Sequence, residues 1–156
     1  MSAVAGISGF RRNAAAAVAR DGVLTAVCEQ GRLTRVRDVG IESGGFPEQA
    51  LHVALEVSGT RREDLEGVVT AEDGVELSGC PGRRRVDHHL AHAAAAFLTS
   101  TVDEALVFVC DTHEGREVSA WRASGDGLEE VPLAWRGPAF ATIYSRLTTL
   151  LGLQPG

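Results

Sequence analysis

Three of the five histidines lie in one short segment, DHHLAHA at residues 87–93. His88 and His92 are four residues apart, so a helix places both imidazoles on the same face. Imidazole nitrogen is a ligand suited to zinc, iron, copper and nickel ions. Asp87 precedes the run and is suited to cap the start of the helix, where a carboxylate accepts backbone N–H groups. The spacing predicts a pair of metal ligands, with a surface helix that carries histidines without a metal as the alternative.

A carboxylate follows the next apolar run of the chain. Residues 105–110 are continuously apolar, which predicts a buried strand, and Asp111 stands at the C-terminal end of that strand. Ligands of α/β folds gather at such strand ends. His113 lies two residues further on and points the same way as Asp111 if the strand geometry continues. We therefore predict that His88 and His92 bind a divalent metal together with Asp111.

Strands and helices alternate in the pattern of hydrophobic residues along the chain. The predicted strands are residues 4–10, 14–20, 23–29, 65–70, 83–86, 105–110, 118–123 and 128–134. The predicted helices are residues 47–58, residues 88–99 and a last helix that begins at residue 138. Asp21-Gly22 favours a tight hairpin turn, whereas residues 31–45 and 71–81 are predicted to be loops.

The resulting order is βββ-α-β-β-α-βββ-α, in which a three-stranded meander followed by a helix occurs twice. This is the plan of the ribonuclease-H-like lobe that actin-like ATPases use in duplicate. We therefore predict an α/β fold with a mixed sheet. Residues 1–103 would form the first ribonuclease-H-like lobe, including the metal-binding helix, and residues 104–156 would form the beginning of a second, incomplete lobe.

The composition argues against several classes of function. The formal net charge is -6, whereas nucleic-acid-binding domains are usually basic. All 15 basic residues are arginine, which removes a lysine nucleophile from the possible mechanisms. No apolar run reaches the roughly 20 residues of a membrane span, and the first residues do not resemble a signal peptide. We therefore expect a cytoplasmic protein that binds neither nucleic acid nor membrane.

Several segments, in this order and spacing, resemble the O-carbamoyltransferases of nodulation-factor and antibiotic biosynthesis, including those of the cephamycin and tobramycin type. These enzymes are relatives of the universal protein that makes threonylcarbamoyladenosine in tRNA. The segment DHHLAHA at residues 87–93 is the most specific part of the resemblance. The other matching positions are residues 7–10, 21–22, 31–35, 45–47, Asp111, Tyr144 and residues 151–155. The resemblance covers nearly the whole chain and corresponds to the N-terminal part of the family's transfer domain.

The resemblance implies an actin-like fold and a two-step reaction. Members of the family make carbamoyladenylate from carbamoyl phosphate and ATP, and then pass the carbamoyl group to a hydroxyl of a small molecule. A metal in the transfer domain binds the nucleotide phosphates, and its ligands correspond here to His88, His92 and Asp111. The expected metal is iron, with zinc or manganese as alternatives. ATP and carbamoyladenylate are the expected nucleotide ligands.

Two arginine-bearing segments depart from the family pattern. Where the family has two histidines this chain has Arg11 and Arg12, and arginine cannot act as a general base because it stays protonated. The catalytic residues therefore stay unassigned, and these two arginines are candidates for binding an anion. Gly31 replaces a glutamate of the family, but Arg32 and Arg35 remain and predict an anion-binding loop. A solvated basic surface loop is the alternative.

His113 stands where the family usually has glycine. A histidine at this position is a candidate fourth ligand of the predicted metal site, in place of an aspartate that belongs to the later half of the family's sequence. A solvent-facing histidine in a turn is the alternative.

In the resembling family the sequence continues past the position of residue 156 with a nucleotide-binding segment, the rest of the second lobe and a domain that processes carbamoyl phosphate, none of which the 156 residues contain. A half-built lobe would leave a sheet edge and an apolar helix face uncovered. This predicts a partner, either a second copy or a separate chain. Three functions follow as hypotheses: a carbamoyltransferase-type protein acting on a small-molecule hydroxyl, a non-catalytic interaction module derived from that family, and a small His/Asp metalloenzyme with different chemistry.

Overall fold

The computed structural model describes residues 2–72, 75, 82–113, 115–138 and 140–154. The loop predicted at residues 71–81 therefore falls mainly outside the described residues. The chain divides into two compact units, Met1–Val86 and Asp87–Gly156, called here the first and the second unit. The sequence places the boundary between lobes later, after residue 103. The two divisions differ because the helix that begins at His88 packs on strands that follow it in the chain.

A five-stranded mixed sheet forms the centre of the first unit. Its strands are β1 Ala3–Ser8, β2 Ala15–Arg20, β3 Val23–Glu29, β4 Gly67–Thr70 and β5 Arg84–Arg85. The order across the sheet is β3-β2-β1-β4-β5. The pairs β3–β2 and β2–β1 are antiparallel, whereas the pairs β1–β4 and β4–β5 are parallel. The predicted α/β fold with a mixed sheet is confirmed.

Two short helices occupy the segment that the sequence predicts as a loop, residues 31–45. They are α1, Gln30–Thr34, and α2, Ile41–Gly44. Each is about one turn long, too short for hydrophobic periodicity to reveal it. Contacts with a distant loop hold both in place. Gln30 N–H donates to Ala14 O at 2.8 Å, and the first N–H of α2 donates to Gly9 O at 3.1 Å. The loop prediction is therefore wrong for these residues.

Helix α3, Glu48–Ser58, covers one face of this sheet. Pro47 stands immediately before the helix, and Gly59 ends it in the left-handed conformation with a φ of 63°, as the sequence predicts. The apolar face of α3 and the sheet share one core. The core residues include Ala5, Ile7, Val18, Ala50, Leu51, Ala54, Leu55 and Val68.

The second unit is a three-stranded antiparallel sheet with a helix packed on it. Its elements are α4 His88–Leu98, β6 Ala105–Val109, β7 Ser119–Ser124, β8 Gly127–Val131 and α5 Phe140–Leu150. The strands lie in the order β6-β7-β8. Ala93 of α4 forms one buried cluster with Val109 and Trp121 of the sheet. The positions of these helices and strands agree with the sequence prediction to within a few residues.

Strand β6 is not buried on both faces, contrary to the prediction from its continuous apolar sequence. Val109 is buried, whereas Leu106 and Phe108 are 55% and 56% exposed. Successive side chains of a strand point to opposite faces of the sheet, and an antiparallel sheet is commonly covered on one face only. The prediction of a wholly buried strand is therefore wrong for one face.

Helix α5 carries a row of apolar side chains that are exposed. They are Phe140, Ile143, Tyr144, Leu147 and Leu150. The helix is 11 residues long. None of the helices in the described part of the chain combines the length and the apolar character that crossing a membrane requires.

Candidate metal centre

The first residue of helix α4, His88, is a candidate metal ligand. Asp87 is the N-cap residue, and its Oδ1 accepts a hydrogen bond from Leu90 N–H at 2.8 Å, which stabilises the first turn. The helix therefore starts at His88, and His92 follows one turn later on the same face. Strand β6 ends two residues before Asp111. Local structure thus places a ligand candidate at a helix start and another just beyond a strand end.

The structure brings His88, His92 and Asp111 together. His88 Nε2 lies 2.8 Å from Asp111 Oδ2 and 3.1 Å from His92 Nε2. His92 Nε2 lies 3.2 Å from the same oxygen of Asp111. The three atoms therefore form a nearly equilateral triangle. Among the described residues, no other group of His, Cys, Asp or Glu side chains converges in this way.

The triangle has the dimensions of a metal site. Three ligand atoms that lie about 2.1 Å from one ion, at right angles to one another, are about 3.0 Å apart. Hydrogen bonds alone explain the triangle poorly. The carboxylate oxygen only accepts, so both imidazoles would have to donate to it. A neutral imidazole has a single N–H, so none is then left for the contact between His88 and His92. Two imidazoles and one carboxylate are also the ligand set of non-haem iron sites with open positions. These three residues therefore fit a divalent ion.

The charge and exposure of the triangle suit ligand binding. The side chain of His88 is 16% exposed, whereas those of His92 and Asp111 are 50% and 45% exposed. The hydrogen bond with His88 lowers the pKa of Asp111 below its ordinary value, against a smaller opposing effect of burial. Thr112 N–H, which donates to Asp111 Oδ1 at 2.8 Å, lowers this pKa further. Asp111 is therefore ionised at neutral pH, and two of the three ligands are accessible from solvent.

His113 lies beside the triangle rather than in it. Its ring stacks on the ring of His88, with the centroids 4.0 Å apart and an angle of 10° between the ring planes. His113 and Arg116 exchange two backbone hydrogen bonds of 2.9 Å. His113 Nε2 is buried and has no hydrogen-bond partner among the described residues. The ring is therefore packed rather than free in solvent, and its role as a fourth ligand stays a prediction.

The sequence does not reveal the role of His89, which follows His88 directly. His89 is buried, and its Nδ1 lies 2.8 Å from Ser119 Oγ on β7. Trp121 Nε1–H donates to the same oxygen at 2.8 Å. Burial is the main reason that the pKa of His89 lies below its ordinary value, so this imidazole is neutral at pH 7. The buried group attaches the first turn of α4 to the sheet and thereby orients His88.

Arg116 connects the two segments that carry the ligands. Its guanidinium lies 3.5 Å from Asp87 Oδ2, next to the start of α4, and it also pairs with Glu130 on β8. The guanidinium lies over the ring of Trp121, 5.7 Å from the ring centroid. The backbone of Arg116 pairs with His113 in the loop that follows β6. The sequence does not single out this residue, although it holds the helix start and the loop together.

Replacing Asp87 by alanine is expected to destabilise the protein by about 1 kcal/mol, because α4 loses its N-cap. Asp87→Asn retains an oxygen that can accept from Leu90 N–H, so its expected loss is smaller, roughly a few tenths of a kcal/mol. Urea unfolding followed by circular dichroism measures both variants. Equal losses in the two variants would mean that Asp87 stabilises the protein through its charge near Arg116 rather than as a cap.

The arginines predicted to bind an anion lie in the first unit. Arg11 and Arg12 are on the loop between β1 and β2. Arg32 belongs to α1, and Arg35 is the C-cap of that helix, with a left-handed φ of 61°. The structure places Arg32 and Arg35 on the wall of one cavity of 380 Å³, whereas Arg11 and Arg12 are not part of its lining.

The chain has the ribonuclease-H-like fold of the actin-like ATPases, as predicted. Its structure is similar to that of YeaZ from Pseudomonas aeruginosa, with a TM-score of 0.55 and 8% identity over 87% of this chain and 72% of that chain. It is also similar to component A of (R)-2-hydroxyglutaryl-CoA dehydratase from Acidaminococcus fermentans. There the TM-score is 0.51 with 14% identity, over 99% of this chain and 56% of the other. At these identities the likeness concerns the fold alone.

The sequence is related at low identity to a nodulation protein. It is 26% identical to nodulation protein NolNO of Sinorhizobium fredii, in an alignment that covers 80% of this chain and 23% of that protein. It is 24% identical to the uncharacterized protein sll1178 of Synechocystis, in an alignment that covers 82% of this chain and 28% of the relative. The chain thus spans about a quarter of the length of these relatives. No family model matches the sequence.

Proposed function

We propose that this chain is a carbamoyltransferase-type protein of natural-product biosynthesis. The observation that carries the proposal is the convergence of His88 Nε2, His92 Nε2 and Asp111 Oδ2, whose mutual distances are 2.8, 3.1 and 3.2 Å. These are the positions at which the resembling family has its metal ligands. The weak homology to nodulation protein NolNO supports the same family. The reaction transfers a carbamoyl group from carbamoyladenylate to a hydroxyl of a small molecule.

The residues of the centre suit a step that releases a nucleotide phosphate. The acceptor hydroxyl oxygen attacks the carbamoyl carbon, the bond from that carbon to the phosphate oxygen breaks, and the hydroxyl proton passes to a base. His88, His92 and Asp111 would hold iron, or alternatively zinc or manganese, and the ion would supply a Lewis acid for the release of the phosphate. Asp111 contributes an ionised carboxylate, since its pKa is lowered. His89 and Arg116 keep the ligands oriented.

Arg11 and Arg12 cannot be the base of this reaction. A guanidinium stays protonated at any accessible pH, so it has no lone pair to accept the proton of the acceptor hydroxyl. In the proposal these two arginines attract an anion, and the base is a different group.

The proposal includes a partner, either a second copy or a separate chain. The exposed apolar row on α5, which contains Tyr144, Leu147 and Leu150, supports it. Contiguous apolar surface of this kind is typical of sites that another chain covers. Sedimentation analysis of the purified chain distinguishes self-association from a requirement for a separate chain.

A small metalloenzyme with different chemistry is the second candidate. The triangle of two imidazoles and one carboxylate favours it, because the same ligand set with open positions serves non-haem iron oxygenases. Nucleotide binding separates the two candidates, since only a carbamoyltransferase-type centre is built to bind adenylate phosphates.

Metal analysis and nucleotide titration test the proposal. We expect one divalent ion per chain, and we expect the metal-loaded chain to bind ATP more tightly than the metal-free chain. His92→Ala is expected to lose the ion, whereas His52→Ala, on α3 of the first unit, is the matched control that retains it. A wild-type chain without stoichiometric metal contradicts the centre. A chain that binds the metal but not nucleotides favours the second candidate. Transfer assays with each candidate partner test the reaction itself.

A further inference from the structure

We propose that the first unit holds a separate binding site for a small oxoanion of phosphate type. The site is the cavity whose lining includes Asn13, Arg32, Arg35, Arg37 and Asp38, called here the arginine cavity. Its volume is 380 Å³, which lies within the range of about 300–1,000 Å³ of small-molecule sites. The proposal goes beyond the proposed function, because it concerns the first unit alone and requires no metal.

Backbone hydrogen bonds fix the two loops that border the arginine cavity. Three of them join the β1–β2 loop to the segment after Arg37. They run from Ala14 N–H to Val39 O at 2.8 Å, from Ile41 N–H to Gly9 O at 3.1 Å and from Glu42 N–H to Phe10 O at 2.9 Å. The wall of the cavity is therefore formed before any ligand binds, which lowers the entropic cost of binding.

The cavity wall contains three residues in a rarely used backbone conformation. Asn13, Arg35 and Asp38 have φ values of 55°, 61° and 54°. Elsewhere in the described chain, only Asp21 in a hairpin turn is a non-glycine residue with positive φ. Asparagine and aspartate adopt this region more readily than other residues, so the strain is greatest at Arg35. Strained backbone of this kind clusters at ligand-binding sites.

The arginine cavity also has positive charge that the protein does not neutralise. Glu29 lies 3.3 Å from the guanidinium of Arg32 and offsets it. Arg35 and Arg37 make no ion pair and no side-chain hydrogen bond with any described residue. Asp38 is the other acidic residue of the lining, so three guanidinium groups minus two carboxylates leave +1. This local excess stands out in a chain whose formal net charge is -6.

Guanidinium chemistry identifies the class of ligand. Arginine stays charged and donates two parallel N–H bonds, a geometry that matches phosphate and carboxylate oxygens. A phosphate-type ion offers more acceptor oxygens and more charge than a carboxylate, so it can engage Arg35 and Arg37 together. We therefore expect a phosphorylated small molecule, or inorganic phosphate as its simplest representative.

Calorimetric titration of the full chain with inorganic phosphate tests the site. We expect one phosphate per chain, with an affinity that falls as salt is added. Arg37→Gln is expected to weaken binding about tenfold, the loss of one charge-assisted contact. Arg35→Asn is expected to do the same, and asparagine is chosen because it tolerates the left-handed backbone. Arg122→Gln is the matched control, since it removes the same charge from an exposed position on β7.

The outcomes separate this site from the metal centre. Repeating the titration in an Asp111→Asn background keeps the proposed metal from binding the phosphate. Phosphate binding that disappears in this background belongs to the metal centre and overturns the proposal. Equal affinities in Arg37→Gln, Arg35→Asn and wild type also overturn it and leave a solvated basic loop, as does an equal loss in Arg122→Gln. Acetate that binds as tightly as phosphate contradicts the ligand class. A wild-type chain without metal affects none of these results.

Discussion

Asp111→Asn is expected to weaken divalent-metal binding by a factor on the order of 100 or more. Residues that merely orient metal ligands commonly contribute about 10–100-fold to affinity, and Asp111 supplies the only anionic ligand atom of the triangle. Asparagine has the same shape, and its amide oxygen can still accept the hydrogen bond from Thr112 N–H that Oδ1 accepts now. The substitution therefore removes the charge with little effect on the loop. Competition with a chromogenic chelator measures the loss.

Asp126→Asn is the matched control for this experiment. Asp126 lies in the turn between β7 and β8, and its backbone N–H donates to Ser124 Oγ at 3.2 Å, a bond that the substitution preserves. It changes the net charge of the chain by the same amount as Asp111→Asn. An unchanged metal affinity in the Asp111 variant, or an equal loss in both variants, would show that the triangle is not the metal centre. The main support for a carbamoyltransferase-type function would then be lost.

The ligands of the centre could be predicted from sequence because their relation is local. His88 and His92 are neighbours on any helix, and Asp111 follows the end of an apolar strand. The supports of the centre depend instead on packing between distant segments. His89 meets Ser119 only because α4 lies against β7. The sequence did contain one signal for His89. Adjacent helix residues point about 100° apart, so His89 faces away from the ligands, and a buried imidazole there needs a hydrogen-bond partner.

The prediction of the fold succeeded where the hydrophobic periodicity is strong and failed where tertiary contacts determine the local structure. Helix α3 and the strands follow their hydrophobic patterns, whereas α1 and α2 exist because distant loops hold them. The sequence of β6 cannot say which of its faces is covered, so Leu106 and Phe108 were predicted to be buried and are exposed. The place of α4 is likewise set by the packing of Ala93 on Trp121, which no local pattern encodes.

Gly40→Ala is expected to destabilise the first unit strongly, by about 3 kcal/mol, the upper range for overpacking. A Cβ at Gly40 would lie 2.3 Å from both the carbonyl carbon and the oxygen of Arg11 and 2.6 Å from Phe10 O. These are backbone atoms, so no side chain can rotate aside. The φ of Gly40 is -103°, so the effect comes from steric overlap alone. The two loops must separate, which breaks the hydrogen bonds from Ile41 N–H and Glu42 N–H.

Gly6→Ala is the matched control, because a Cβ at Gly6 in β1 meets no atom within 4 Å, and its expected stability equals or exceeds that of the wild type. Both tryptophans, Trp121 and Trp135, lie in the second unit. Urea unfolding is therefore followed by far-ultraviolet circular dichroism rather than by fluorescence.

The separated loops of the Gly40→Ala variant should also bind inorganic phosphate less tightly, since they form the arginine cavity. A Gly40→Ala chain with the wild-type unfolding midpoint would show that the β1–β2 loop is not held against Gly40, and the preformed wall of the arginine cavity would lose its basis.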